Sequence, residues 1–175
     1  PPPRPSRPPL VRGRGKTRQI TEGNADLEVG RGETPLITTG LGSCVAIALH
    51  DAQSGVGGLA HVLLPHAALA SRGARPGKFP STAVPAMLAR MRELGAQGEI
   101  SAKLIGGASM FSQLLPAGSV GLGVRNVKAA RQACVEFAVP VVAEEVGGTM
   151  GRSVIFDVAS GRVQVRSVRG ADVEL

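Results

Sequence analysis

The chain has 175 residues, which is enough for one domain with its own apolar core. Aromatic residues make up 2% of it, all of them Phe, and this disfavours proteins that stack bases or sugars on ring faces. Two Cys and three His argue against a disulfide scaffold and a structural zinc site. The longest apolar runs are too short to cross a membrane, and no secretion signal precedes the domain. We therefore expect a cytoplasmic protein without membrane insertion.

The net charge of +7 is concentrated at the amino terminus. Residues 1–19 hold six Arg or Lys, no acidic residue and six of the 13 prolines, whereas the remainder holds 14 basic and 13 acidic residues. A segment of this composition buries too little apolar surface to fold. We predict a disordered, basic, Pro/Arg-rich tail over residues 1–20 and a single domain over residues 21–175. The tail is either a solubilising extension or an arm for anionic surfaces.

After the tail, the pattern predicts an α+β domain in which strands outnumber helices. Strands are expected over residues 36–38, 43–50 and 57–64, the last two forming a hairpin through the turn sequence DAQSG. A helix over 81–94, capped by Ser81 or Thr82 and with Pro85 in its first turn, precedes a strand over 101–105. A helix over 124–138 is followed by strands over 139–143, 153–158 and 162–168. No phosphate-binding loop or dinucleotide motif is present, so we expect no nucleotide cofactor.

Cys44 stands in the glycine-rich turn TTGLGSC at the start of a predicted strand. Glycines permit tight backbone geometry and leave N–H groups open to a developing oxyanion. His61 lies on the returning strand of the hairpin, so both residues come to the same end of the two strands. A Cys–His pair is the smallest nucleophile–base unit for acyl transfer, but it needs a third group to orient the imidazole. No acidic residue lies on either strand, whereas Thr38, Thr39 and Ser43 offer hydroxyls.

Each of these residues also has a purely structural interpretation. A Cys at the start of an apolar strand is commonly a small buried hydrophobe, and a His on such a strand is commonly a core residue. Cys134 provides the contrast, because it lies on the apolar face of the second predicted helix, far in sequence from any glycine loop. We expect Cys134 to serve packing alone. His50 and His66 are expected at the surface or in loops.

Several short motifs resemble, in the same order, those of the CheD family of chemotaxis glutamine deamidases. They are GLGSCV at 40–45, GGLAHVLLP at 57–65, KLIGGASMF at 103–111, GVRN at 123–126, VGGTMGR at 146–152 and FD at 156–157. The resemblance spans residues 36–168 and does not include the basic tail. Its one mild departure is Glu145, where the family often has Asp.

This resemblance implies a β-sandwich core of mixed and antiparallel strands flanked by helices, related to the catalytic domains of deamidating toxins. It implies an enzyme that hydrolyses side-chain amides of specific glutamines on chemoreceptor cytoplasmic domains to glutamate and releases ammonia, with glutamyl methyl-ester hydrolysis as a side activity. The family's catalytic Cys, His and Thr correspond to Cys44, His61 and Thr38. Gly42 and Ser43 would support the oxyanion, and neither a metal nor a cofactor is implied.

Five further residues within the similar segments would shape the substrate cleft or only fix turns: Gly107, Arg125, Asn126, Gly148 and Arg152. Some members of the family bind a CheC-type phosphatase, which is therefore an expected partner. A competing hypothesis is a non-catalytic adaptor of the same fold that binds receptors or such a phosphatase. A second is a nucleic-acid binder acting through the tail, which the near-neutral domain argues against. The reactivity of the Cys44 thiol would distinguish an enzyme from an adaptor.

Overall fold

A computed structural model of the chain describes residues 16–20, 27–66 and 73–175. Most of the predicted tail therefore lies outside the described residues. The last three residues of the predicted tail are described. They form a short strand, in which Ile20 is fully buried. The domain thus begins before residue 21, because this strand pairs with the body of the protein. Within the described residues, no helix is long and apolar enough to span a membrane.

Within the described part of the chain, the strands form two five-stranded sheets. The first sheet has the order β1-β3-β8-β9-β10 and the second has the order β2-β5-β4-β6-β7. Strands of the first sheet are β1 (Arg18–Ile20), β3 (Pro35–Leu41), β8 (Arg152–Asp157), β9 (Val163–Ser167) and β10 (Val173–Glu174). Strands of the second sheet are β2 (Leu27–Arg31), β4 (Val45–Asp51), β5 (Val56–Val62), β6 (Ile100–Gly106) and β7 (Val141–Val146). The pairs β1–β3 and β6–β7 are parallel and the others are antiparallel.

Two helices, α1 (Pro80–Glu93) and α2 (Leu122–Glu136), pack against the second sheet. The order of layers is first sheet, second sheet, helices, and one apolar core fills each of the two gaps. The predicted α+β sandwich is thereby confirmed. The second sheet is buried on both faces. Glycines on β5 allow the first sheet and helix α1 to approach it closely. A Cβ at Gly57 would lie 2.8 Å from the Phe156 ring of the first sheet, and one at Gly58 would lie 3.1 Å from Met87 Sδ of α1.

The hairpin of β4 and β5 agrees with the prediction, with bounds that differ by one or two residues. Strands β1, β2 and β10 were missed because each is short and gains its stability from pairing. Helix α1 begins at Pro80, whose missing N–H is harmless at a first helical position, rather than at a Ser or Thr cap. Pro85, which we expected a helix to tolerate only in its first turn, lies at the sixth position of α1.

Buried polar side chains hold the end of the second sheet that is remote from Cys44. The Asp51 carboxylate is fully buried and accepts hydrogen bonds from the N–H groups of Gln53, Ser54, Gln97 and Gly98 and from the Ser54 hydroxyl. Burial alone would raise the pKa of Asp51, but these hydrogen bonds outweigh it and lower the pKa to about 2. His50, expected at the surface, is half-buried beside this carboxylate, and its Nε2 lies 2.9 Å from the Val158 carbonyl oxygen.

Candidate active site

Cys44 lies in the turn between β3 and β4, immediately before β4 begins. Two hydrogen bonds fasten this turn to the segment that follows β6: the Gly107 N–H donates to the Cys44 carbonyl and the Ala108 N–H donates to the Gly42 carbonyl, both at 2.8 Å. The end of β6 can lie this close to the Cys44 turn because residue 106 is a glycine: a Cβ there would lie 2.4 Å from the Cys44 carbonyl oxygen. The position of the thiol is therefore set by two strands and not by the turn alone.

His61 is placed beside Cys44 by the register of the β4–β5 hairpin. Ala46 pairs directly with His61, and Cys44 precedes Ala46 by two residues. Side chains two residues apart on a strand point to the same face, so Cys44 and His61 are diagonal cross-strand neighbours, a separation that long side chains span. That face is the one between the two sheets, where Cys44 is partly buried against the core and His61 is 5% exposed.

Thr38 reaches the same histidine from the opposite sheet. Its hydroxyl oxygen lies 2.8 Å from Nδ1 of His61, and the threonine is fully buried. The neighbouring Thr39 is exposed, because the two residues alternate across β3. The regular pairing of β3 with β8 breaks after Thr38, and Gly40 there has a φ of 71°, a left-handed conformation that favours glycine. The pairing resumes at Leu41, the last residue of β3, from which the chain enters the Cys44 turn.

A cleft of about 450 Å³ opens at Cys44. The Cys44 turn forms one wall through Gly42, Ser43 and Cys44, and the residues before and at the start of α2 form the other. A larger cavity, of about 670 Å³, lies where β6 begins and contains none of Thr38, Cys44 and His61. Of these two cavities only the smaller one is lined by Cys44, so we take it as the candidate substrate cleft.

The rim of this cleft is apolar and exposed. Met110 and Phe111 are 49% and 71% exposed, and Met110 packs onto Gly42, where a Cβ would lie 2.9 Å from Sδ. Leu115 is 43% exposed and also lines the cleft. We refer to Met110, Phe111 and Leu115 as the apolar rim. These residues were not predicted from the sequence as site residues, although apolar side chains in an irregular stretch with Pro116 and Gly118 are a signal that they do not enter a core.

The five residues expected either to shape the cleft or to fix turns are not part of the cleft lining. Asn126 is fully buried, and its Nδ2 donates to the carbonyls of Ser43 at 2.9 Å and Leu63 at 3.1 Å, which ties the Cys44 turn to the end of β5. Gly107 is also buried, and a Cβ there would lie 2.3 Å from Val127. These two residues support the site from behind, because no part of either faces the cleft.

The other three candidates are also absent from the cleft lining. Arg152 is 8% exposed, donates to the Gly147 carbonyl at 2.8 Å and forms an ion pair with Glu145 at 3.3 Å. Arg125 and Gly148 are exposed outside the cleft lining. Gly148 accepts a hydrogen bond from the Ser109 N–H at 2.8 Å, so it holds one of the residues that do line the cleft.

The two residues predicted to support an oxyanion differ in what they can donate. The Gly42 N–H donates to the Gly40 carbonyl at 3.1 Å and is therefore engaged within the turn. The Ser43 N–H forms no hydrogen bond with any part of the chain that the structure describes. Ser43 also lines the cleft next to Cys44. Of the two, Ser43 is the one whose main-chain donor is open to a ligand.

Cys134 behaves as predicted for a packing residue. It lies on α2 with no exposed surface, in the core between the second sheet and the helices. Burial raises the pKa of its thiol to about 11, so it is protonated at neutral pH. Cys44, in contrast, is partly exposed and borders the cleft.

The sequence of this chain is similar to those of known proteins. A family model described as CheD chemotactic sensory transduction matches residues 63–167. A protein of Clostridium botulinum strain Hall, named probable chemoreceptor glutamine deamidase CheD, is 40% identical over 152 residues, covering 86% of this chain and 94% of that protein. A protein of Clostridium tetani with the same name is 41% identical over 154 residues, covering 87% and 93%.

An aligned stretch of that length must include positions 38, 44 and 61 in a chain of 175 residues. Among solved structures, a hypothetical protein of Bacillus licheniformis, YfiH, matches with a TM-score of 0.43 and 15% identity, covering 74% of this chain and 58% of that one. The family-model match and the extent of the clostridial matches identify the chain itself: it is a member of the CheD family.

Proposed function

We propose that this protein hydrolyses the side-chain amide of selected glutamines on chemoreceptors to glutamate, with Cys44 as the nucleophile. The observation that supports this most strongly is the buried 2.8 Å contact between Thr38 and His61 Nδ1, which leaves Nε2 as the ring nitrogen available to the Cys44 side. The names of the clostridial relatives support the substrate, since both are called probable chemoreceptor glutamine deamidases. A hydrolase of this type needs a nucleophile, a base and an orienting group, and the three residues supply one each.

In the first half of the reaction, the Cys44 thiol gives its proton to Nε2 of His61, and the sulfur attacks the glutamine Cδ. The tetrahedral oxyanion would accept a hydrogen bond from the Ser43 N–H, the open main-chain donor beside the thiol. His61 then returns the proton to the amide nitrogen, the C–N bond breaks, and ammonia leaves. The product of this half is a thioester between Cys44 and the substrate.

In the second half, Nε2 of His61 takes a proton from a water molecule, and the resulting hydroxide attacks the thioester carbonyl. The C–S bond breaks, His61 returns the proton to the sulfur, and glutamate is released. The same thioester would form from a glutamyl methyl ester with methanol as the leaving group. Methyl-ester hydrolysis therefore stays a prediction that requires no additional residue.

The apolar rim would hold the receptor segment that carries the glutamine. A glutamine on a protein surface reaches Cys44 only if the surrounding backbone lies against the protein, and the rim offers the exposed apolar area next to the thiol. Of the predicted partners, the chemoreceptor is thus the one that we expect to bind at this cleft. Binding of a CheC-type phosphatase and a cytoplasmic location stay predictions.

The test is mass spectrometry of a chemoreceptor cytoplasmic fragment after incubation with the full chain. We expect site-specific conversion of glutamine to glutamate by the wild-type protein and none by Cys44→Ala. Cys134→Ala is the matched control, because it removes the other thiol and leaves the site intact; it should convert the same glutamines. Conversion by the Cys44→Ala variant would disprove the nucleophile, and failure of both the wild type and Cys134→Ala on every receptor tested would contradict the proposed reaction.

A further inference from the structure

The Thr38 hydroxyl has a second partner besides His61. Its oxygen lies 3.2 Å from the main-chain carbonyl oxygen of Ile20, and this contact is buried. Ile20 is the last residue of β1, which pairs in parallel with β3 so that Ile20 and Thr38 are register partners. The amino-terminal strand therefore contributes one main-chain group to the layer that contains Thr38 and His61.

The two contacts of the hydroxyl determine where the imidazole proton lies. A threonine hydroxyl has a single proton to donate, and a carbonyl oxygen can only accept. Both hydrogen bonds form together only when the hydroxyl donates to Ile20 and accepts from an Nδ1–H of His61. That tautomer leaves the lone pair on Nε2, the nitrogen that must take the thiol proton. Without the carbonyl, the hydroxyl could donate to Nδ1 instead, and the ring proton would then sit on Nε2.

We propose that the main-chain carbonyl of Ile20 is a positioning group of the active site, which sets the tautomer of His61 through the Thr38 hydroxyl. The inference rests on the proposed function for its effect on the reaction rate. Its effect on the tautomer is independent of the reaction. A wrong tautomer has a large effect on catalysis in other triads, where the orienting group acts in the same way.

Strand β1 is held to the domain by its three-residue pairing with β3 and by the buried side chain of Ile20. Its side chain has no exposed surface and lies in the core between the sheets, whereas Gln19 is exposed. Arg18 donates to the Val29 carbonyl at 3.0 Å and forms an exposed ion pair with Glu28 at 3.4 Å. Because exposed ion pairs contribute little, removal of the Ile20 anchor should displace β1 without unfolding the rest.

The direct test is the tautomer of His61, read from the nitrogen chemical shifts of a protein labelled with ¹⁵N in its three histidines. The His61 signals are assigned by their loss in His61→Asn. At a pH where the ring is neutral, we expect the proton on Nδ1 in the wild type. A proton on Nε2 in the wild type would overturn the proposal without any variant of β1.

The variant is Ile20→Asp, which places a carboxylate in the apolar layer and displaces β1. Its matched control is Gln19→Asp, with the same added charge on an exposed neighbour. We expect Ile20→Asp to move the His61 proton towards Nε2 and to lower kcat for receptor deamidation about tenfold or more with KM unchanged, as loss of an outer-shell partner does elsewhere. Gln19→Asp should match the wild type in both measurements.

An unchanged tautomer in a folded Ile20→Asp protein would refute the proposal, whatever happens to kcat. If that variant does not fold, Ile20→Ala and Gln19→Ala form a milder pair that is judged by the same criteria. If the wild type converts no glutamine, the proposed function fails. The tautomer shift between Ile20→Asp and Gln19→Asp would still decide the role of the carbonyl.

Discussion

Replacing Thr38 by Val tests the orienting contact with the least change in shape. The substitution removes the hydroxyl that lies 2.8 Å from His61 Nδ1 and keeps a β-branched side chain of similar size at a fully buried position. The productive tautomer of His61 then holds an Nδ1–H with no acceptor, on a ring that is 5% exposed. An unpaired buried donor costs about 1–3 kcal/mol.

That penalty falls on the catalytically productive form of the ring and thus adds to the activation barrier. At 1.36 kcal/mol for each factor of ten, it corresponds to a fall in kcat of roughly 5- to 160-fold. KM should change little, because the hydroxyl lies in the layer between the sheets and not in the cleft lining. Thr38→Ser restores the hydroxyl and should recover most of the rate.

The assay is the initial rate of glutamine deamidation on a receptor fragment, with ammonia release as a second measurement. Thr39→Val is the matched control, because the same side-chain change occurs one residue away at an exposed position. We expect this control to retain wild-type kcat. A folded Thr38→Val protein with kcat within about twofold of the wild type would show that the contact has no catalytic role.

Three further outcomes follow from the structure. The folded-state pKa of the Asp51 carboxyl is lowered from 3.8 to about 2, so its stabilisation is present above about pH 4 and lost as the pH falls through 2. Asp51→Asn should therefore lower the free energy of unfolding by about 2 kcal/mol at neutral pH. Urea titrations should show that this difference from the wild type shrinks in acid, and a difference that stays constant with pH would contradict the role of the carboxylate. Phe111→Ser should raise KM for the receptor several-fold with kcat retained. Val135 is similarly exposed near the end of α2, and Val135→Ser should leave both constants unchanged. Equal effects of the two substitutions on KM would exclude a docking role for the apolar rim. Under native conditions iodoacetamide should alkylate Cys44 and spare Cys134, and peptide mapping that finds equal labelling would contradict the burial of the second thiol.

Local pairing explains why the placement of Cys44 and His61 on one face of a hairpin was predictable. Cys44 and His61 are seventeen residues apart on one hairpin, and the turn between its strands fixes the register. Alternation along each strand then places both side chains on one face. The tight turn before Cys44 was predictable for a similar reason. Its glycines indicate such a turn, because positive φ and close backbone approach both favour a residue without a Cβ.

Sequence reasoning could not resolve residues whose role depends on which segments meet in space. For Asn126 it left two roles open, shaping the cleft or fixing a turn, and the structure shows the residue buried with its amide on two carbonyls. The sequence did not single out the apolar rim, and its exposure beside the cleft is what marks it as a candidate contact surface. Neither property is visible in local hydrophobic periodicity, since the same residue types occur in cores and on binding surfaces.

By itself, the sequence determined the α+β class, the Cys44–His61 hairpin and the resemblance that named Thr38 as the third residue. The tertiary structure decided that Thr38, and not the adjacent Thr39, meets His61, because this contact bridges two sheets and depends on how they pack. It also decided that β1, at the end of the predicted tail, belongs to the domain. A three-residue strand has too little local preference to be recognised alone, and it exists because β3 offers a partner and the core between the sheets accepts Ile20.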